Sequence, residues 1–327
     1  MPASSTVTVD VHLDERDLRA ALERDVRAGL GASPKHIPPT WFYDEEGSRL
    51  FEEITRLPEY YPTRAERALL ERHAGDVATL AGADSLVELG AGSCEKTRLL
   101  LDALAASSSL SNYVPFDVSA DFLCDAAGSI AEEYPGLRVH AVVGDFLAHL
   151  DRIPSEGRRL MAFLGGTIGN LAPVQRARFL SDVHATMART DSLLLGTDVV
   201  KDRRRIVAAY DDSAGVTARF NRNVLSVVNH ALGANFAPER FEHVVRWDER
   251  AQWIEMRLRA TQPETVDIKR LDMTVMFDDG EELRTEISAK FTPEGIAEEL
   301  ARAGFAVDRQ WGADEGEFLL TLAHPDR

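Results

Sequence analysis

From position 85 to 198, short apolar runs alternate with amphipathic helical stretches, and this alternation constrains the fold more than any other feature of the chain. The runs at 85–89, 113–117, 138–143, 159–164 and 192–198 read as strands, with helices expected at 96–106, 119–134 and 173–189. Strands joined through helices pair in parallel, because the crossover returns the chain to the same edge before the next strand begins. The expectation is a doubly wound α/β sheet, whose ligands bind beyond the carboxyl ends of its strands. Gly90, Asp117, Asp145 and Gly165 all fall at such ends.

The turn after the first of these strands is Leu86-Val-Glu-Leu-Gly-Ala-Gly-Ser-Cys-Glu-Lys-Thr97. Gly90 and Gly92 let the backbone turn tightly, and the N–H groups of the helix start can face a carboxylate or phosphate. A dinucleotide fingerprint needs a third glycine where this chain has Glu95, so pyrophosphate binding is disfavoured. Glu88 inside the strand, followed by Gly-x-Gly, is similar to the S-adenosylmethionine loop of class I methyltransferases. A glycine turn that only packs a helix on a sheet would read the same way.

Four further elements suit a nucleoside. Asp117 ends a strand, where its carboxylate can accept both ribose hydroxyls; capping the next helix is the ordinary alternative, although Ser119 can do that itself. Asp145-Phe146 pairs a carboxylate for the adenine amino group with a ring for the adenine face. Lys96 at the helix start is unfavourable against the helix dipole unless an anion is bound there, and the methionine carboxylate of the cofactor is such an anion. The run Phe163-Leu-Gly-Gly-Thr-Ile-Gly-Asn-Leu171 brings backbone close to a ligand at Gly165 and ends in the amide of Asn170, equally suited to cap the helix near Pro173. The Asn/Asp-Pro-Pro-aromatic motif of nucleic-acid amino methyltransferases is absent.

Charge and composition narrow the partners. With 37 basic and 54 acidic residues the net charge is −17, which repels nucleic acid and anionic membranes and favours a small-molecule substrate. Two cysteines, Cys94 and Cys124, have no spacing that would hold a metal or a disulfide framework, which suits a reducing cytoplasm and implies no metal. No apolar stretch approaches the roughly 20 residues of a membrane helix, and the first ten residues read as a loose tail. The texture changes near Lys201: a helix is expected over 203–231, then antiparallel strands at 241–247, 253–262, 266–277 and 283–291. The terminal helix at 293–304 and strands near 306–311 and 317–323 match the hairpin that closes class I methyltransferase sheets. The expected division is a methyltransferase domain of residues 65–200 and 291–327, and a second, α+β domain of residues 12–64 and 201–290.

Over nearly its whole length the chain resembles the L-histidine Nα-methyltransferases of ergothioneine biosynthesis. The resemblance is carried by Pro39-Thr-Trp-Phe-Tyr-Asp44, Thr55-Arg-Leu-Pro-Glu-Tyr-Tyr-Pro-Thr-Arg64, the glycine loop, Pro115-Phe-Asp-Val118, Gly144-Asp-Phe146, Phe163 to Leu171, Ala209-Tyr-Asp-Asp212, Phe220-Asn-Arg-Asn-Val224 and Thr285-Glu-Ile-Ser288. Small departures at Ala91, Ser93, Cys94 and Gly166 touch backbone-lined positions. The resemblance implies a class I, Rossmann-like fold that binds S-adenosylmethionine through Gly90, Lys96, Asp117, Asp145, Phe146 and Gly165. It implies that the second domain binds substrate. Tyr60, Asn170 and Tyr210 would grip the ammonium and carboxylate ends, Glu286 and Ser288 would hydrogen-bond the imidazole, and Met256 would pack on the ring. An imidazole offers one donor and one acceptor, so a carboxylate and a hydroxyl suit it. Glu286 and Ser288 lie two apart on an expected strand, and an exposed polar strand face has the same spacing.

The implied reaction is trimethylation of the histidine α-amino group to hercynine by a monomeric enzyme. In-line displacement at a sulfonium needs a neutral amine aligned with the S–CH3 axis, and Tyr43 and Tyr60 can accept a hydrogen bond that orients it. A methyltransferase for another amine, a cofactor-binding module without catalysis and a nicotinamide oxidoreductase are the rival readings.

Overall fold

In the computed structural model, which describes residues 7–92, 94, 96–107, 110–313 and 316–326, the chain divides into two units. One contains the chain up to Asp14, Arg64–Val199 and the chain from Phe291; the other contains Glu15–Thr63 and Val200–Lys290. Ser93 and Glu95 of the glycine loop lie outside the described residues.

The first unit is built on one sheet. Six strands, β1 (Val7–Val11), β2 (Ser85–Leu89), β3 (Asn112–Asp117), β4 (Arg138–Val143), β5 (Arg159–Phe163) and β6 (Ser192–Asp198), run parallel. The final hairpin, β12 (Phe305–Gly312) and β13 (Phe318–Pro325), adds two more, with β13 antiparallel to β6. The strand order β1-β4-β3-β2-β5-β6-β13-β12 reverses direction between β2 and β5, which is the switch point of a doubly wound sheet. Every residue of β2 and β5 is buried, as continuous apolar strands covered on both faces should be. One face buries Leu86 and Leu160 against Leu69 and Leu70 of α3 (Pro62–Ala81), Leu100 of α4 (Thr97–Ser107) and Ile130 of α5 (Ala120–Glu133). Phe163 and Phe179, the latter on α6 (Pro173–Thr186), pack at a tilt of 47° with centroids 4.8 Å apart. At the opposite strand end, Arg159 is locked by Asp191, whose carboxylate takes the guanidinium and the Arg159 N–H at 2.6–2.9 Å.

The N-terminal segment is not a loose tail from Val7 onward: β1 pairs in parallel with β4, and Asp10 meets His140 at 2.8 Å. Valines at every second position, 7, 9 and 11, carry the strand pattern.

The second unit has its own core, centred on Leu22, Phe42, Phe220, Ile254, Met256 and Leu258. Its helices are α1 (Glu15–Leu30), α2 (Glu45–Thr55), α7 (Arg203–Tyr210) and α8 (Val216–Leu232). Its strands β7 (Phe241–Asp248), β8 (Trp253–Ala260) and β11 (Glu282–Ala289) form an antiparallel sheet in the order β11-β8-β7, and β9 (Glu264–Ile268) pairs with β10 (Met273–Phe277) as a hairpin. Two expectations change here. The single helix over 203–231 is broken after Tyr210, because the Asp212 carboxylate accepts the N–H groups of Val216 and Thr217 and Gly215 takes a left-handed φ of 68°, starting a new helix. The single strand over 266–277 folds back at Asp272, whose φ of 46° is a conformation aspartate tolerates. The terminal helix is α9 (Pro293–Arg302), which belongs to the first unit. Among the described residues no helix is long and apolar enough to cross a membrane, and no cluster of potential metal ligands forms.

Candidate active site

In the first unit the cofactor candidates assemble at the carboxyl ends of β2, β3, β4 and β5. Gly90 and Gly165 are exposed at the ends of fully buried strands, with φ of 72° and 78°. A Cβ on Gly90 or Gly92 would meet nothing within 4 Å, so the loop opens onto free space of the kind a ligand fills. The Asp117 carboxylate accepts the N–H of Gly92 at 3.2 Å and of Ser119 at 3.1 Å. Burial pushes this carboxyl up, against those two backbone donors. Each oxygen retains a lone pair, so Asp117 ties the glycine loop to β3 and can still receive a pair of hydroxyls. Ser119 makes no side-chain cap of its own.

Asp145 follows β4 and accepts the Leu147 N–H at 2.8 Å through one oxygen. Phe146 packs edge-on against Phe163 and Phe179, with centroids 5.3 and 5.6 Å away, which fixes its plane. Asn170 ends a 3₁₀ turn, Thr167–Asn170, and its amide makes no hydrogen bond among the described residues. It does not cap α6, whose N-cap is Ala172, with Gln175 folded back onto the cap N–H.

Two carboxylates behave differently from the sequence pattern. Glu88 points into the protein, where it accepts from Thr97 and from Tyr113 at 2.9 Å, and burial pushes it up to about 7. Its role is to join β2, β3 and α4 beneath the loop. Lys96 is ion-paired with Glu66 of α3, a fully buried residue that sequence reading missed. The other Glu66 oxygen accepts the Gly165 N–H at 2.7 Å, and Gly196 leaves it room, since a Cβ there would lie 2.1 Å from Oε1. Glu66 therefore fixes both Lys96 and the backbone after β5. Its contacts lie 30 and 99 positions away, so no local pattern marks it.

In the second unit the decisive feature is a β-bulge. The register of β11 against β8 shifts between Arg284 and Glu286, leaving Thr285 unpaired. One extra residue inverts the alternation that follows it. Glu286 therefore stands opposite Met256 and Ser288 opposite Ile254, on the apolar inner face. The bulge is held by the Thr285 hydroxyl, whose single hydrogen is shared between Asn221 Oδ1 at 2.6 Å and the Met256 carbonyl at 3.0 Å. Asn221, fully buried on α8, meets His243 Nδ1 at 2.8 Å. His243 Nε2 donates to the Tyr210 carbonyl at 2.9 Å, and burial pushes this imidazole down, so it stays neutral. One network thus positions the bulge and the end of α7 together.

The Glu286 side chain is half-buried, and its carboxylate makes no hydrogen bond among the described residues. Burial pushes it up to about 7, with the Lys290 ammonium opposing the rise. A carboxylate enclosed by protein yet unpaired is costly, and such a group marks a place for a ligand donor. Tyr210 donates to Ser288 at 2.8 Å, and buried Lys290 donates to both hydroxyls at 2.9 Å. Lys290 also escaped the sequence reading, although it continues the same two-residue spacing as Glu286 and Ser288. Tyr43 and Tyr60 flank Phe51, with centroids 5.5 and 6.2 Å from it, and Tyr60 lies 6.4 Å from the Tyr210 ring. Tyr60 is buried whereas Tyr43 is exposed. Asn170 belongs to the other unit.

Residues 22–325 match the model of a family described as histidine-specific, S-adenosylmethionine-dependent methyltransferases. The chain belongs to this histidine-specific methyltransferase family. A histidine N-alpha-methyltransferase of Mycolicibacterium smegmatis is 52% identical over 318 residues, 97% of this chain and 99% of that protein. One of Mycobacterium tuberculosis is 53% identical over 317 residues, with the same coverage. Ergothioneine biosynthesis protein 1 of Schizosaccharomyces pombe is 33% identical over 225 residues, 65% of this chain and 29% of that longer protein. As a member of the histidine-specific methyltransferase family the protein is a methyltransferase that uses S-adenosylmethionine on a small molecule. The open glycine loop, the strand-end carboxylates Asp117 and Asp145 and the fixed Phe146 ring fit the parts of that nucleoside.

Proposed function

We propose that this protein trimethylates the α-amino group of L-histidine, giving hercynine, a step of ergothioneine biosynthesis. The observation that carries the reading is the Glu286 carboxylate, which makes no hydrogen bond among the described residues and is set with the Ser288 hydroxyl on the strand face that carries Met256 and Ile254. An imidazole N–H and ring nitrogen match these two groups, whereas an apolar side chain would leave the Glu286 carboxylate unsatisfied.

In this reading the unit containing Arg64–Val199 holds the cofactor and the unit containing Val200–Lys290 holds the amino acid. Gly90 and Gly165 present backbone to the cofactor. Asp117 accepts its ribose hydroxyls, Asp145 its adenine amino group, and Phe146 covers the adenine. Lys96, steadied by Glu66, faces its carboxylate. The bound S-adenosylmethionine supplies an electrophilic methyl group. The protein's own contribution is to orient a neutral amine along the S–CH3 axis and keep it there. A peptide α-amino group titrates at about 8 and that of a free amino acid somewhat higher, so the substrate amine must lose a proton before attack. Tyr60 and Tyr43 accept a hydrogen bond from the amine, while Asn170 and Tyr210 hold the rest of the amino-acid backbone and Met256 packs on the ring. The aromatic faces of Tyr43, Phe51 and Tyr60 suit an ammonium that gains methyl groups, because a quaternary cation keeps its attraction to π faces after losing its N–H donors.

The free thiols of Cys94 and Cys124 favour a cytoplasmic setting, and the net charge of −17 disfavours self-association, so the monomer is the working form. Incubation with S-adenosylmethionine and a panel of amino acids, followed by mass analysis, tests the reading. Histidine should gain three methyl groups on its α-nitrogen; preference for another amino acid, or arrest at one methyl group, would overturn it.

A further inference from the structure

We infer that Asn221 is a positioning residue for the substrate ring: without touching the ring, its side-chain amide holds the bulge at Thr285 and so turns the Glu286 carboxylate to the face where the ring binds. This inference rests on the histidine reading above and deepens it.

Two backbone carbonyls, which only accept, fix every direction in the cluster. The Arg257 carbonyl lies 3.1 Å from Asn221 Nδ2, and an amide turned the other way would set oxygen against oxygen there. With the NH2 group on that side, its second hydrogen goes to His243 Nδ1 at 2.8 Å, so that ring nitrogen is bare. The Tyr210 carbonyl lies 2.9 Å from His243 Nε2, which therefore carries the hydrogen of the ring. An imidazolium would set a second N–H against the Asn221 amide, and burial opposes that protonation as well. Asn221 Oδ1 is left to accept the Thr285 hydroxyl at 2.6 Å, whose one hydrogen also reaches the Met256 carbonyl at 3.0 Å. Asn221 is 0% and Thr285 1% exposed, so water cannot stand in for a lost partner.

The position demands two N–H donors and an acceptor on one short side chain, and among the amino acids of that size only asparagine carries them. Thr285 stands between Arg284, paired with Arg257, and Glu286, paired with Met256. Without its anchor β11 can pair regularly, and a shift of one residue moves every side chain beyond it to the other face. Glu286 then leaves the face that carries Met256. A double-substitution cycle in the full chain tests this, read as kcat/KM for histidine at pH 8. Glu286→Gln alone should lower it roughly tenfold. Asn221→Leu, which keeps the volume, and Thr285→Val, which keeps the shape without the hydroxyl, should each lower it about tenfold too, with KM for S-adenosylmethionine changed less than about twofold. Adding Glu286→Gln to either should cost less than about twofold more, because the carboxylate is no longer beside the ring. Thr285→Ser, which keeps the hydroxyl, should stay within about threefold of the parent. An amide that only supports the fold would leave the Glu286→Gln loss at its full size in both backgrounds, and that outcome overturns the inference.

Nitrogen NMR of the His243 ring in the unaltered, 15N-labelled protein decides the direction of the cluster even if neither variant folds. A hydrogen on Nε2 alone at pH 7 is expected; a hydrogen on Nδ1 would mean a reversed amide, with Thr285 unheld, and would refute the proposal. If histidine is not methylated, or Glu286→Gln leaves its kcat/KM unchanged, the functional reading fails; if both hold and the losses multiply, only the role of Asn221 fails.

Discussion

Replacing Glu286 by glutamine should make the ligand-free protein more stable while making it a poorer enzyme. The carboxyl is pushed from 4.5 to about 7 by burial. At 1.4 kcal/mol per unit, that shift is a penalty of about 3 kcal/mol on the folded state when the group is ionised. The sign follows from proton binding: the folded chain holds this proton more tightly than the unfolded chain. The penalty is therefore complete above about pH 7, where both states are ionised, and absent below about pH 4.5, where both are protonated. Glutamine removes it but adds an amide with its own desolvation cost of roughly 1–2 kcal/mol, leaving a net gain of about 1–2 kcal/mol at pH 8. The same change exchanges a charge-assisted hydrogen bond to imidazole for a neutral one, worth about 1–1.5 kcal/mol, or roughly tenfold in kcat/KM for histidine. Denaturant unfolding at pH 8 and pH 5 without substrate, alongside kinetics from pH 6 to 8, reads all of these. The wild-type kinetic advantage should shrink below pH 7 as the carboxylate takes up its proton. A Glu286→Gln protein that is less stable at pH 8, or that keeps the full kcat/KM for histidine, would refute the view that Glu286 is held open for the ring.

Asp117→Ala should raise KM for S-adenosylmethionine about tenfold to a hundredfold by removing the ribose acceptor, with a smaller change in KM for histidine, measured by initial rates. Gly196→Ala drives a Cβ to 2.1 Å from Glu66 Oε1 and so displaces the carboxylate that holds Lys96 and Gly165. It should cost about 1–3 kcal/mol of stability and weaken cofactor binding by calorimetry more than histidine binding. Asp191→Ala strands the buried Arg159 guanidinium and should destabilise the protein by about 3–5 kcal/mol in urea unfolding. Since that pair sits at the strand ends away from the glycine loop, kcat at a temperature where the variant is folded should stay near the parent value.

The central sheet was legible because its signals are local and repeated. Apolar runs alternate with helical stripes, and the glycine turn marks one strand end unambiguously. The edge strand at Val7 also carried a local signal, the valines at alternate positions, but stood apart from the alternating block. The breaks at Asp212 and Asp272 were harder to see, because one depends on a side-chain cap with a left-handed glycine and the other on a single residue's backbone conformation, each inside a segment whose overall pattern continues. For the site, Asp117, Asp145 and Phe146 stand out since a strand end and a chemical type coincide there. Glu66, Asn221 and Lys290 do not. Glu66 lies on a helix among exposed charges, and only the glycine at position 196 leaves room for it. Glu88 shows the opposite case: a residue that fits the cofactor pattern in sequence is turned inward by Thr97 and Tyr113.

The bulge at Thr285 explains why the substrate face resists reading from sequence alone. Counted as a regular strand, Leu283, Thr285 and Ile287 would share the inner face, and Glu286 and Ser288 would look outward like the charged residues Arg284 and Glu282. The inversion is imposed by Asn221 from α8, more than sixty positions away, with His243 and the Tyr210 carbonyl behind it. An unpaired carboxylate and an ammonium on the inner face of a sheet oppose folding, and only such an anchored register keeps them there. The same anchor ties the bulge to the end of α7, so Glu286 and Tyr210 are held by one buried framework. Rigidity of that kind is what discrimination between imidazole and its isosteres requires, because a hydroxyl free to turn or a carboxylate free to reach water would satisfy either ligand equally well.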